Sequence, residues 1–158
     1  MSEKKLAFSP RRILVPIDGS GNSMRALDTA IELAKNIGSE LFIFTVIPLH
    51  SLAVGAAVGF SSVSVPLQDY YDATEKQAKD FLEQAKSLAT TSGVVKVSGE
   101  IDLEYESIPE QIIDRAGKEK SDLIVIGTRG LGGFKRLLLG SVSSGVVTHA
   151  NCNVLVVR

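Results

Sequence analysis

Tryptophan is absent from the sequence, and cysteine occurs only once, at position 152. A single cysteine excludes an internal disulfide and any zinc site built from several thiolates. Aromatic residues make up only 6% of the chain, too few for the stacking platform that binds single-stranded nucleic acid. The 17 basic and 18 acidic residues nearly cancel, to a formal net charge of −1, so the excess of clustered cations that duplex binding needs is also missing. We therefore expect no nucleic acid partner.

Neither a secretory signal nor a membrane span is indicated. Residues 1–10 contain no apolar stretch ahead of Pro10, so we expect no secretory leader and a cytoplasmic location. Residues 41–68 carry no Asp, Glu, Lys or Arg, but proline and glycine interrupt them before the roughly 20 apolar residues that a spanning helix needs. We interpret this segment as a buried strand followed by an apolar loop over residues 49–68.

Two kinds of apolar pattern alternate along the chain. Short continuous apolar runs are typical of buried strands, and apolar residues recurring every three or four positions predict amphipathic helices. Strand and helix alternate four times before a fifth strand, which favours an α/β fold with a doubly wound, open parallel sheet and helices on both faces. With 158 residues, we expect one domain over residues 11–158 behind a tail over residues 1–10. The predicted strands cover residues 12–17, 41–47, 95–103, 123–126 and 153–157, and the helices begin near Ser20, Thr74, Ser107 and Ser141.

Several familiar site motifs are missing. The turn after the first strand reads Gly-x-Gly-x-x-Met from Gly19, one glycine short of a dinucleotide fingerprint, and no acidic residue ends the second strand. The chain contains no Gly-Lys-Ser/Thr of a P-loop, no Gly-x-Ser-x-Gly elbow and no His-Glu-x-x-His pair. A dehydrogenase, a P-loop NTPase, a serine hydrolase and a zinc protease are therefore poorly supported.

The segment after the fourth strand has the parts of an anion site. Gly127 and Gly130 allow a sharp turn and a close approach of the backbone to a ligand, and Arg129 adds positive charge. Gly140 and Ser141 open the last helix, whose N–H groups and dipole favour an anion. Purely structural interpretations stay open, because the glycines could form only a flexible loop and Ser141 could simply cap its helix. Asp18, after the first strand, could likewise serve only as a helix cap.

Taken together, these segments resemble the universal stress protein family. The resemblance rests on Gly127-x-x-Gly130, nine further residues and then Gly140-Ser141, which is the family's nucleotide motif. The flanking residues 122–127 and 151–157 and the opening residues 13–20 resemble the family as well. The likeness covers nearly all of the chain except the tail and the loop over residues 49–68.

The resemblance implies the strand order 3-2-1-4-5, a Rossmann-like sheet, and ATP at the carboxyl edge of the strands. Asp18 would meet the ribose hydroxyls, and the backbone of Val46 would read the adenine edge. The glycine motif would hold ribose and phosphates, and Mg²⁺ or Mn²⁺ would bind through the phosphates. The residues implied at the nucleotide are Pro16, Ile17, Asp18, Val46, Gly127, Thr128, Arg129, Gly130, Gly140, Ser141 and Val142.

Three functions stay open from the sequence. The first is a nucleotide-dependent stress or signalling module, in which ATP acts as a regulatory ligand and no catalytic residue is assigned. The second is a slow ATP hydrolase or an autokinase. The third is a nucleotide-free scaffold that binds a partner through the loop over residues 49–68. The last strand, residues 153–157, is an apolar edge that can pair with another strand, and the resemblance implies a homodimer through it, unless the chain's own N-terminus covers that edge.

Overall fold

The computed structural model describes residues 8–48, 67–129 and 139–158. These ranges contain five strands and four helices in strict alternation. The elements in chain order are β1 (Arg12–Pro16), α1 (Gly21–Ile37), β2 (Glu40–Ile47), α2 (Leu67–Thr91), β3 (Val97–Leu103), α3 (Ile108–Lys118), β4 (Leu123–Gly127), α4 (Ser141–His149) and β5 (Asn153–Val157).

The strands form one parallel sheet in the order β3-β2-β1-β4-β5, which confirms the predicted doubly wound α/β fold. Side chains alternate between the two faces, as the period of a strand requires. Ile13 and Val15 face α1 and α2, whereas Leu14 faces α3 and α4. Each face therefore buries its own apolar cluster, centred on the inner strands of the sheet.

The boundary of α2 differs from the prediction. The apolar period suggested a start near Thr74, but the helix begins at Leu67, so the expected loop over residues 49–68 loses its last two residues to α2. The side chains that are described in the first turns of α2 are not buried, so they carry little of the apolar pattern on which the prediction relied. Residues 49–66, which make up the rest of that loop, lie outside the described residues, as do residues 1–7 of the expected tail.

The helix ends follow local chemistry. Ser20 caps α1 by accepting a hydrogen bond from the backbone N–H of Ser23, and α1 ends at Gly38, whose φ of 77° suits glycine. The pattern Ser-x-x-Glu at Ser107 and Glu110 predicts a capping box, but the bond that forms is a different one. The Ser107 hydroxyl donates to the Glu110 carboxylate over 2.7 Å rather than accepting a backbone N–H of α3.

Within the described ranges, no helix combines the length and apolar character needed to cross a bilayer.

Candidate functional site at the carboxyl edge of the sheet

The strand order reverses between β1 and β4, because β1 leads through α1 to β2 on one side and has β4 as its neighbour on the other. In open parallel sheets, ligands bind beyond the carboxyl ends of the strands at such a reversal. The residues that follow β1 and β4 are therefore the first to inspect, together with those that end β2.

The turn after β1 is held by its own side chains. The Asp18 carboxylate accepts the backbone N–H of Ser20 over 2.9 Å, and the Ser23 hydroxyl accepts the backbone N–H of Asp18 over 3.3 Å. Asp18 is thus not the cap of α1, which is Ser20, but it forms the Asx turn that leads into that cap. Its side chain is exposed at the carboxyl edge, whereas Pro16 and Ile17 before it are partly or fully buried.

Gly127, the last residue of β4, lies directly against the first turn of α1. A Cβ atom on Gly127 would stand 2.7 Å from the carbonyl oxygen of Asn22. Only glycine permits this approach, and it joins the turn after β1 to the end of β4. Asn22 was not among the predicted site residues, because a main-chain contact between distant segments leaves no pattern in the sequence.

Thr128 connects the end of β4 to α4. Its carbonyl oxygen accepts the backbone N–H of Gly140 over 2.7 Å and the hydroxyl of Ser143 over 2.8 Å. Its own N–H donates to the carbonyl of Val157 over 2.8 Å, which extends the pairing of β4 with β5. These bonds hold the start of α4 against the end of β4, although thirteen residues separate Gly127 from Ser141 along the chain. Ser143, buried at this junction, was also missed by sequence reasoning.

The start of α4 has no side-chain cap. Its N-cap is Gly140, which has no side chain to accept the first N–H groups, so Ser141 is the first helical residue and not the cap. The Ser141 side chain is exposed, and Val142 is partly buried. A helix start without a side-chain cap presents its N–H groups and the positive end of its dipole to an anion.

The first turns of the helices differ in charge. An acidic residue lies in the first turn of α2 and of α3, namely Asp69 and Glu110, whereas the first turns of α1 and α4 contain none. The start of α4 therefore has neither an acidic residue nor a side-chain cap, whereas the start of α1 is capped by Ser20 and preceded by Asp18. Arg129, partly buried just beyond β4, adds a cation at the same place.

The carboxyl edge of the sheet between the ends of β1 and β4, called the crevice below, is also faced by the main chain of Val46. Phe44 accepts the N–H of Ile17, on the β1 side, and Ile47 accepts the N–H of Glu104, on the β3 side. The N–H and C=O of successive strand residues alternate in direction. The N–H and C=O of Val46 therefore point to the β1 side. Val46 lies two residues beyond Phe44, which is paired with Pro16 at the end of β1.

The described part of the chain thus brings together the segments that carry ten of the eleven predicted site residues. The eleventh, Gly130, lies outside the described residues.

Among the ranges that the structure describes, no group of three or more His, Cys, Asp or Glu side chains could hold a metal ion. The single cysteine lies away from the crevice, near the start of β5, where burial and the neighbouring Asp122 raise the pKa of the Cys152 thiol.

Comparison with known proteins finds relatives that belong to one family. A model of the universal stress protein family matches residues 10–158. A universal stress protein of Methanocaldococcus jannaschii is 34% identical over 149 residues, which cover 94% of this chain and 82% of the relative. The structure of a universal stress protein from Lactobacillus plantarum is 29% identical and superposes with a TM-score of 0.75, covering 93% of this chain and 97% of the other.

Two further structures with the same fold contain nucleotides. One is a universal stress protein in complex with cAMP, 23% identical, with a TM-score of 0.65 over 96% of this chain and 98% of the other. The second is the universal stress protein from Archaeoglobus fulgidus in complex with dAMP, 22% identical, with a TM-score of 0.67 over 96% of this chain and 100% of the other.

Proposed function

Because the chain belongs to the universal stress protein family, we propose that it binds ATP at the carboxyl edge of β1, β2 and β4 and acts as a nucleotide-dependent signalling module in the cytoplasm. One observation carries this proposal. Gly127 and Thr128 draw the first turn of α1 and the start of α4 together, so that the two helix starts without acidic residues lie beside one crevice.

The base and the sugar have suitable partners along this edge. The main-chain N–H and C=O of Val46 provide one donor and one acceptor side by side, which is the pairing that the N1 and N6 positions of adenine require. Asp18 has an exposed carboxylate at the end of β1, and a carboxylate accepts hydrogen bonds from the ribose hydroxyls. Pro16 and Ile17 would supply apolar contacts between the two.

The phosphates fit the start of α4. Gly140 leaves the N–H groups of Ser141 and Val142 without a side-chain cap, and Arg129 contributes a cation. The expected contact of Gly130 belongs to the same proposal. The adenine nucleotides in the two related complexes support a nucleotide of this class.

We propose that Mg²⁺ or Mn²⁺ binds with ATP through the phosphate oxygens. Magnesium is commonly held by one or two carboxylates, water and substrate phosphates rather than by a protein cage. ATP would then act by binding one conformation or assembly state more tightly than another, since a ligand shifts an equilibrium only by its differential affinity.

The homodimer is the second part of the proposal. β5 is an edge strand and contains no charged residue, whereas β3 at the other edge carries Glu100 and Asp102. Charged side chains discourage pairing between edges, and an apolar strand invites it. Leu155 is 37% exposed at this edge, which a second β5 would cover.

The direct test is titration calorimetry with ATP and Mg²⁺ on a matched pair of variants, Gly140→Asp and Gly140→Asn. Both side chains are good helix caps, and a Cβ at Gly140 would meet nothing closer than 3.4 Å, so both variants should fold. Only aspartate places a negative charge beside the phosphates. We expect Gly140→Asp to weaken ATP binding at least about tenfold more than Gly140→Asn does.

Mass analysis of any ligand that copurifies with the wild-type protein complements the titration. Copurified ATP would support the proposal. If the wild-type protein showed no heat with ATP and carried no nucleotide, ATP binding would be wrong. Equal ATP affinities of the two Gly140 variants would show that the phosphates do not bind at the start of α4.

A further inference from the structure

Arg25 is held in place at the start of α1 by two hydrogen bonds. Its Nε donates to the main-chain oxygen of Arg158 over 3.1 Å, and its Nη2 donates to Oδ1 of Asn22. Arg12 and Arg115, in contrast, are each paired with two carboxylates. Among the described residues, no Asp or Glu side chain forms a salt bridge with Arg25, and its Nη1 group donates none of the hydrogen bonds.

Both anchors of Arg25 lead to the proposed nucleotide site. Asn22 is the residue whose main chain contacts Gly127, and Arg158 follows Val157, which accepts the N–H of Thr128. The guanidinium group also reaches over the first turn of α1, since its Nη1 would lie 3.7 Å from a Cβ on Gly21. Arg25 therefore sits at the junction of α1, β4 and β5, on the side of the crevice opposite α4.

We propose that Arg25 binds the outer phosphates of the nucleotide and so makes the site prefer a nucleoside triphosphate to a monophosphate. This inference rests on the proposed function. A monophosphate would engage the start of α4 alone, whereas a longer polyphosphate reaches toward the first turn of α1. No acidic residue in that turn competes for the guanidinium group.

The anchoring explains why the contact would be effective. An arginine fixed by two hydrogen bonds has already lost most of its side-chain freedom, so binding a phosphate costs it little further entropy. Its Nη1 donates none of the hydrogen bonds found among the described residues, and its two hydrogens remain for phosphate oxygens. A hydrogen bond between charged groups corresponds to about tenfold to hundredfold in affinity.

A purely structural role for Arg25, as a link between α1 and β5, makes a different prediction. Loss of such a link would weaken all nucleotides alike, because the whole crevice would loosen. A phosphate contact affects only nucleotides long enough to reach it. The comparison of ATP with AMP therefore separates the two roles.

The experiment is calorimetry with ATP and with AMP, each with Mg²⁺, on the wild-type protein and on Arg25→Gln, Arg25→Lys and Arg11→Gln. Arg11→Gln is the matched control, because Arg11 is an exposed arginine at the opposite end of β1. We expect Arg25→Gln to weaken ATP about tenfold to hundredfold, to leave AMP within about twofold, and to be partly rescued by Arg25→Lys, which keeps the charge. Arg11→Gln should change neither affinity.

The outcomes distinguish this inference from the proposed function. If Arg25→Gln left ATP binding unchanged, or weakened ATP and AMP equally, Arg25 would not be a phosphate ligand. If the wild-type protein bound AMP as tightly as ATP, the triphosphate preference would be wrong while nucleotide binding stood. If it bound neither, the proposed function itself would fail.

Discussion

Gly99 in β3 lies against the carbonyl group of Ile43 in β2, so closely that a Cβ on Gly99 would stand 2.5 Å from the Ile43 oxygen. The same atom would be 3.0 Å from Cδ1 of Leu82, where α2 packs on the sheet. We predict that Gly99→Ala lowers the free energy of unfolding by about 1–3 kcal/mol, because β3 or α2 must move to admit the methyl group. Denaturant unfolding measures the change, and ATP affinity should be retained, since β3 is two strands from the β1–β4 crevice.

Gly127→Ala should have a combined effect. The added Cβ would meet the main chain of Asn22, so the first turn of α1 must shift away from β4. We predict a loss of about 1–3 kcal/mol in stability together with weaker ATP binding, because the same contact shapes the proposed site. Gly117→Ala is the control, since a Cβ there has nothing within 4 Å and should leave stability unchanged or slightly higher. ATP affinity equal to that of the wild type in Gly127→Ala would contradict the role given to this contact.

Asp18→Asn separates the two roles of Asp18. Asparagine can still accept the N–H of Ser20, so the turn before α1 should persist, but the negative charge is lost. We predict an unchanged melting temperature and an ATP affinity about tenfold lower, because the proposed ribose contact loses a charged acceptor. Ser20→Ala provides the opposite control, since loss of the cap should cost about 1 kcal/mol of stability. Unaltered ATP affinity in Asp18→Asn would show that the Asp18 carboxylate does not contact the nucleotide.

Glu40 should contribute to acid sensitivity. Hydrogen bonds from Lys96 and then from Arg12 hold the pKa of Glu40 below its ordinary value of 4.5. The unfolded chain then binds more protons than the folded one, so the stabilising effect is present above the unfolded pKa and is lost as the pH falls through the folded pKa. We predict that stability falls less steeply between about pH 5 and pH 3 in Glu40→Gln than in the wild type. Parallel stability curves, from denaturation at each pH, would show that Glu40 is not a source of this slope.

Val154→Pro tests the dimer at the outer edge of β5. The carbonyl of Val157 faces β4, so the alternation of a strand points the N–H of Val154 outward. Proline there removes a donor for a second β5 without breaking the pairing with β4. We predict a monomer by sedimentation or light scattering if the wild type is a dimer through β5. Val97→Pro, which alters the outward edge of β3, should leave the assembly unchanged, and a dimer that survives Val154→Pro would place the interface elsewhere.

The alternation of strands and helices could be predicted from the sequence, because apolar period reports directly which residues are buried. The continuous runs at 12–17 and 41–47 became β1 and β2, and the start of α1 near Ser20 was confirmed. The start of α2 was predicted seven residues too late, since the side chains described in its first turns are not buried and so lack the period. The capping box at Ser107 and Glu110 was right about where α3 begins but wrong about which atoms bond, because two side chains that can bond to the backbone can also bond to each other.

The glycine motif of the candidate site was also visible in the sequence, but its neighbours were not. Asn22, Ser143 and Arg25 reach the crevice through contacts between segments far apart along the chain. Their residue types are ordinary for helix starts, so nothing in the local pattern marks them. The resemblance to a family could name the residues of a shared motif and could not name those that support it.

The sequence by itself determined the class of fold, the family and the motif that follows β4, because each of these depends on local patterns of residue type. Only the tertiary structure decided that Gly127 must be glycine to lie against Asn22, that Gly140 rather than Ser141 begins α4 as its cap, and that Arg25 is bonded to Arg158 at the end of the sheet. The physical reason is that these features depend on distances between main-chain atoms of different elements. Such distances are set when helices pack on the sheet, and no single segment of the sequence carries them.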